Sequence, residues 1–225
     1  KQVPLDIITY NAAINVCAQN KQWQWVLQLL QDMRDNEIPP NIITYTTAIR
    51  ACGKVGQWQR ALQLFEGIED CFLDTITYNA AITACANGGQ WQRALLLMEQ
   101  MQRTGVATDT ITYNAAISAC GRRGQWHRAL ELLEEMGVNR LAANITTYRA
   151  TLSACAKAGE WQRVLLLLED MQSKGILPNA CTYLVAISAC EKAGQWQKAL
   201  QLLEEMQDKL VRVNTDKCDT AISVS

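Results

Sequence analysis

A stretch of about 35 residues recurs along this chain and constrains its fold more than any other feature. One copy begins Thr-Ile-Thr-Tyr-Asn-Ala-Ala-Ile at Thr110, and its tyrosine and a later tryptophan return in the same register. The series are Tyr10, Tyr45, Tyr78, Tyr113, Tyr148 and Tyr183, and Trp23, Trp58, Trp91, Trp126, Trp161 and Trp196. Such a period predicts a stacked array in which each repeat contacts only its neighbours.

With tyrosine at position 4, the chain divides into six repeats and the start of a seventh. The repeats are 7–41, 42–74, 75–109, 110–144, 145–179 and 180–214, and 215–225 opens another. Repeat 2 is shorter than the others, around Asp70-Cys71-Phe72-Leu73. Apolar residues at steps of three and four predict two helices per repeat, the first running from the tyrosine to about a recurring cysteine and the second starting at the tryptophan. We therefore expect an all-α fold, a right-handed α-solenoid of helix-turn-helix hairpins forming one array over residues 1–225.

Glycine recurs at position 15, where the first helix of each repeat is expected to end. It accepts the left-handed backbone conformation that closes a helix. Repeat 1 has Lys21 instead, and we expect a looser turn there. Pro39-Pro40 and Pro178 fall in the expected linkers between repeats.

The bulk properties exclude several classes of protein. A net charge of −1 predicts no general attraction to polyanions, so nucleic-acid binding would need a local basic stripe. Six of the nine cysteines occupy the same position in successive repeats, which favours buried thiols in a reducing compartment over disulfides. We expect no metal site, cofactor, small-molecule substrate, catalytic centre or transmembrane segment.

Positions 5, 9 and 13 of each repeat predict a polar face on the first helix, since residues four apart share a face. Position 5 varies within an almost constant frame, and position 13 supplies spaced cations suited to a phosphate backbone, Lys54, Arg122, Lys157 and Lys192. For positions 9 and 13 alone, the solvated side of an amphipathic helix is the favoured explanation of the polar stripe. Helix capping explains the Asn or Asp that closes each repeat, and we interpret the tryptophans as interhelical packing.

These features resemble the pentatricopeptide repeat family, with P-type repeats. The resemblance rests on the period, the opening Thr-Tyr-Asn, the glycine before the second helix, the Ala-Leu-x-Leu-Leu-Glu-Glu-Met run and the closing Asn or Asp, over essentially the whole chain. It implies a non-catalytic protein of the chloroplast or mitochondrion that binds single-stranded RNA at one base per repeat, for RNA processing, stability or translation.

The family's pattern also implies roles for particular residues. Base reading falls to position 5 and the closing residue of the repeat, and base sandwiching falls to an apolar position 2. The implied reading pairs are Asn11 with Asn41 for a pyrimidine with C favoured, Thr46 with Asp74 for G, Asn79 with Asp109 for U, and Asn114 with Asn144 for C. The implied sandwiching residues are Ile8, Ile43, Ile76 and Ile111.

The pattern fails in repeats 5 and 6, where Arg149 and Leu184 occupy position 5 and Thr146 and Cys181 occupy position 2. The reading pairs of repeats 1 to 4 together imply an RNA motif of about 5′-Y-G-U-Y-3′. The alternative is a protein-binding scaffold, an accessory subunit of a large organellar complex such as a ribosome or a photosynthetic or respiratory assembly. The near-neutral charge and Leu184 favour that alternative.

Overall fold

The computed structural model describes residues 6–68 and 73–208. Within these ranges the secondary structure consists of helices, two in each repeat. They are α1 (Ile7–Gln19), α2 (Trp23–Asp35), α3 (Ile42–Lys54), α4 (Trp58–Glu66), α5 (Thr75–Asn87), α6 (Trp91–Arg103), α7 (Thr110–Arg122), α8 (Trp126–Val138), α9 (Ile145–Ala158), α10 (Trp161–Ser173), α11 (Ala180–Lys192) and α12 (Trp196–Asp208). The predicted all-α hairpin fold is confirmed. The seventh repeat expected at 215–225 and most of the short linker at Asp70–Leu73 lie outside the described residues.

The described residues form two compact bodies, one that ends at Ala119 and one that begins at Cys120. In the N-terminal body the first helices α1, α3 and α5 pack side by side, and α2 and α4 each pack against their own first helix and the next one. In the C-terminal body α9 packs beside α11. The second helix α8 packs against the next first helix, α9, and α10 packs against both α9 and α11. Within each body the first helices therefore form one layer and the second helices another.

Each first helix begins three residues before its tyrosine, earlier than the sequence analysis placed it. The cause is the Asn or Asp that closes the preceding repeat, because its side chain caps the next helix. Asn41 Oδ1 accepts from the Thr44 backbone N–H at 3.0 Å, and Asp74 Oδ1 accepts from that of Thr77 at 2.8 Å. The predicted capping role of this residue is confirmed.

The turn between the two helices depends on a left-handed residue at position 15. Gly56, Gly89, Gly124, Gly159 and Gly194 all have φ between 66° and 81°. Lys21 adopts the same conformation, with φ of 58°. The looser turn expected in repeat 1 is therefore wrong. The Gln22 N–H donates to the Cys17 carbonyl at 2.9 Å, which closes the turn in the same way as Gln57 and Cys52 do in repeat 2.

The recurring cysteines pack as small apolar residues in the same core as the tyrosines. Five of the six, Cys52, Cys85, Cys120, Cys155 and Cys190, are fully buried, and Cys17 is half-buried. All described cysteines are free thiols, as predicted. Burial raises the pKa of Cys52, Cys85, Cys120 and Cys155 to about 11, so these thiols are protonated and unreactive at neutral pH.

The tryptophans of this series begin the second helices, and Trp58 contacts the end of the next first helix, α5. Gly88 lies against Trp58, and the Arg93 guanidinium lies 4.9 Å from the centre of the Trp58 ring. Trp126 and Trp161 pack against the core of the C-terminal body. Trp58, Trp126 and Trp161 therefore have the predicted packing role, whereas Trp196 is 64% exposed. None of the helices in the described ranges is long and apolar enough to cross a membrane.

Candidate nucleic-acid interface

The first helices of repeats 1 to 4 expose an isoleucine at position 2, one turn before position 5 and two turns before position 9. Ile43, Ile76 and Ile111 are each 61% exposed, and Ile8 is 73% exposed. Exposure of large aliphatic side chains to water is unfavourable. Their repetition at one position therefore favours a ligand with flat apolar faces that would cover them. Bases sandwiched between them would be such a ligand.

A groove of about 390 Å³ opens in repeat 3 between two of these isoleucines. Ile76 and Ile111 are part of its wall, and Asn79 and Asp109 contribute the polar atoms beside them. Arg50 and Lys54, four residues apart on α3, supply positive charge to the same groove. The structure thus brings together one reading pair, two sandwiching residues and one cation of the predicted set. A volume of this size is typical of small-ligand sites.

The predicted reading pair of repeat 3, Asn79 and Asp109, is held by a closed hydrogen-bond cluster. Asn79 Nδ2 donates to Asp109 Oδ1 at 3.0 Å, and Asn79 Oδ1 accepts from the Thr112 hydroxyl at 2.6 Å. Because a carboxylate can only accept, the amide nitrogen of Asn79 must face Asp109 and its oxygen must face Thr112. One N–H of the amide is left to donate to a ligand.

Asp109 is charged at neutral pH. Burial alone would raise its pKa, but hydrogen bonds from the Thr112 backbone N–H and the Asn79 amide outweigh burial, and its pKa lies below the usual range. The Thr112 backbone N–H donates to Oδ1 at 2.8 Å. The pair therefore presents an N–H donor beside a carboxylate acceptor.

Repeat 2 has a different arrangement at the same place. The Thr77 hydroxyl lies 2.7 Å from Asp74 Oδ1 and 2.8 Å from the Thr46 hydroxyl. Since the Asp74 carboxylate can only accept, the single proton of Thr77 points to Asp74, and Thr46 must donate its own proton to Thr77. Thr46 consequently has only lone pairs left for a ligand, and it stands beside a carboxylate.

The other predicted reading residues lie at matching positions. In repeat 1, Asn11 Oδ1 accepts from the Thr44 hydroxyl at 2.6 Å, and that hydroxyl also lies 2.9 Å from Asn41 Oδ1. In repeat 4, Asn114 is half-buried on α7, and Asn144 caps α9.

Repeats 5 and 6 lack this construction at position 5. Arg149 is exposed on α9, and Leu184 is half-buried on α11. Thr146 and Cys181 replace the exposed isoleucine at position 2. Position 5 of these two repeats therefore has neither an amide nor a hydroxyl with which to read a base.

The predicted cations Lys54, Arg122, Lys157 and Lys192 are all exposed at the ends of first helices. Arg50, the one cation at position 9, was not among the predicted phosphate-contacting residues. The buried position-3 residues Thr44, Thr77 and Thr112, whose hydroxyls contact position 5 of the preceding repeat, were not predicted either. No group of His, Cys, Asp and Glu side chains suited to a metal ion exists within 6–68 and 73–208.

The fold and the groove define a helical-hairpin repeat protein with a polar, isoleucine-lined binding face. Family models match it throughout: "PPR repeat family" at residues 5–54, "PPR repeat" at 43–71, and "Pentacotripeptide-repeat region of PRORP" at 74–225. The chain therefore belongs to the pentatricopeptide repeat family. A search of curated proteins found no match.

Solved structures show the same fold. The crystal structure of the maize pentatricopeptide repeat protein PPR10 is 28% identical with a TM-score of 0.76, and the match covers 95% of this chain and 32% of that one. PPR10 in complex with an 18-nt psaJ RNA element is 23% identical with a TM-score of 0.61, over 92% of this chain and 34% of that one. The PPR domain of Arabidopsis thaliana protein-only RNase P 1 in complex with tRNA is 15% identical with a TM-score of 0.62, over 78% of this chain and 94% of that domain. The chain spans about a third of the length of PPR10.

Proposed function

We propose that this chain binds single-stranded RNA at about one nucleotide per repeat, without catalysing a reaction, in a chloroplast or mitochondrion. The groove of repeat 3 carries the proposal, because it combines apolar walls, a fixed hydrogen-bonding pair and cations from the preceding repeat. Family membership supports it, as does the complex of the related PPR10 with RNA. Covering or presenting a short RNA segment is the activity that suits such a surface.

The hydrogen-bond inventory supports particular bases for repeats 2 and 3. Thr46 and Asp74 present acceptors only, and guanine is the base with two adjacent donors, N1–H and N2–H2, on its Watson–Crick edge. Asn79 and Asp109 present a donor beside an acceptor, which suits the alternating edge of uracil. For repeats 1 to 4 together we assign the motif 5′-Y-G-U-Y-3′. Asn11 and Asn41 read its first base, and Asn114 and Asn144 read its last.

Selection from a randomised pool of single-stranded RNA, carried out with the purified chain at two salt concentrations, tests this function. We expect enrichment of the Y-G-U-Y core and an affinity that falls as salt rises, since phosphate contacts release counterions. Absence of both enrichment and affinity near physiological salt would overturn RNA binding. That result would favour the protein-binding scaffold, for which Leu184 offers an apolar contact.

Neutralising the groove cations should weaken binding equally for all RNA sequences. Replacing Arg50 and Lys54 by glutamine removes two phosphate contacts, which lowers the salt slope by about 1.4 and the affinity roughly 10- to 30-fold at 0.1 M salt. Fluorescence anisotropy over a salt series measures both quantities.

The matched control for this experiment replaces Arg60 and Arg103 by glutamine. Both are exposed on second helices, α4 and α6, so the change in net charge is the same on the other layer of the body. We expect little change in affinity or slope. An equal loss in the control would contradict a groove-specific contact and indicate general electrostatic attraction.

A further inference from the structure

A buried threonine at position 3 links repeats 2, 3 and 4 to the repeat before each of them. Thr44, Thr77 and Thr112 are 0% exposed, and each belongs to the first turn of a helix. Each hydroxyl contacts the closing residue that caps its own helix, and each also contacts position 5 of the preceding repeat. A capping role alone needs only the first of these contacts.

The contact with position 5 determines which atoms of the reading residue remain for a ligand. In repeat 3 the Thr112 hydroxyl occupies Asn79 Oδ1 at 2.6 Å, so Asn79 offers its N–H. In repeat 2 the Thr77 hydroxyl takes up the Thr46 proton, so Thr46 offers its lone pairs. The same threonine thus leaves a donor in one repeat and an acceptor in the other.

We propose that Thr77 and Thr112 are positioning residues that set base specificity in the repeat that precedes each of them, without touching the RNA. The inference rests on the proposed function and adds a specificity-determining position to it. Base choice at repeat 2 then depends on a residue of repeat 3, and base choice at repeat 3 depends on a residue of repeat 4.

Thr112→Val removes the hydroxyl while keeping the size of the side chain. Asn79 Oδ1 then becomes free to accept from a base, so bases with donors are no longer rejected. We expect the preference for uracil over cytosine and guanine at the third base to fall about five- to tenfold, the worth of one oriented hydrogen bond. Competition among RNAs that differ only at that base measures the ratio. Thr112→Ser, which keeps a hydroxyl, should restore it.

Thr77→Val should act one base earlier. The Thr46 proton loses its acceptor and becomes free to donate, so adenine, which offers the N1 acceptor, competes better with guanine at the second base. The preference for guanine should fall by a similar factor while the third base keeps its selectivity. This one-base displacement between the two variants is the signature of positioning, because general loosening would affect both bases.

Thr182→Val controls for the loss of the cap itself. The Thr182 hydroxyl donates to Asn179 Oδ1 at 2.9 Å, the same capping contact. Arg149, at position 5 of the preceding repeat, is exposed, and no contact joins it to Thr182 among the described residues. We expect this variant to lose stability comparable to that of Thr112→Val, measured by thermal unfolding, and to keep its base preferences.

The outcomes separate the two proposals. If the unmodified chain shows no base preference, the proposed function fails. If the unmodified chain prefers uracil at the third base and Thr112→Val retains that preference in full, the positioning role is overturned. The role is also overturned if Thr182→Val lowers base selectivity as much as Thr112→Val does.

Discussion

The Thr46→Asn variant should prefer uracil at the second base, where the unmodified chain prefers guanine. Thr46 and Asp74 offer acceptors only, whereas asparagine adds an N–H donor and reproduces the arrangement of Asn79 and Asp109. The site accommodates the larger side chain, because Asn79 occupies the equivalent place with 8% of its surface exposed and Thr46 has 7%. A well-matched pair of hydrogen bonds discriminates by about 1–3 kcal/mol, so the ratio of the two affinities should change roughly 10- to 100-fold.

Four RNAs that differ only at the second base, bound in competition, measure this change. Thr47→Asn is the matched control, because Thr47 is the next residue on α3 and its hydroxyl donates to the Ile43 carbonyl at 2.8 Å. Its guanine preference should remain. Retention of the guanine preference in Thr46→Asn would show that position 5 does not read the base.

The free energy of unfolding should fall steeply between pH 9 and pH 11. Burial raises the pKa of Cys52, Cys85, Cys120 and Cys155 from the usual 9 to about 11. Below about pH 9 these thiols are protonated in both states and their contribution is fully present. Above it the unfolded chain releases protons first, so stability is lost as pH rises towards 11, by up to about 1.4 kcal/mol per pH unit for each thiol.

Urea unfolding over a pH series measures this slope. Cys85→Ala is the informative comparison, because it removes one buried thiol and leaves every other ionisable group in place. Its stability should depend less steeply on pH than that of the unmodified chain, whatever its stability at neutral pH. Identical slopes would assign the alkaline loss to other groups.

The recurring pattern of apolar residues was sufficient to predict the helices, because its three- and four-residue spacing indicates which residues each helix buries. Tyr78, Ile82 and Cys85 are buried on α5, as the three- and four-residue spacing indicates. The start of each helix was placed too late, since it depends on the capping side chain of Asp74 and its neighbours rather than on apolar spacing. Lys21 was misjudged for a similar reason, since the hydrogen bonds of the turn hold its backbone in the left-handed region.

The sequence indicated the variable position 5 but not how its side chain is oriented. Thr112 and Asn79 are 33 residues apart, and only the packing of α5 beside α7 brings the hydroxyl to the amide. A recurring threonine in a sequence is equally consistent with capping alone. Arg50 was missed because it occurs once, and comparison between repeats shows only what recurs.

Asp109, the closing residue of repeat 3, serves two repeats at once, and this restricts which bases repeat 3 can be changed to bind. Asp109 pairs with Asn79 and also starts α7, so any replacement must still cap a helix. Few side chains do that well, chiefly Asn, Asp, Ser and Thr. A mutation that gains a new base there by losing the cap would also weaken folding. A change of base specificity, in evolution or by design, is therefore easier at position 5, because a substitution there leaves the cap of the next helix intact.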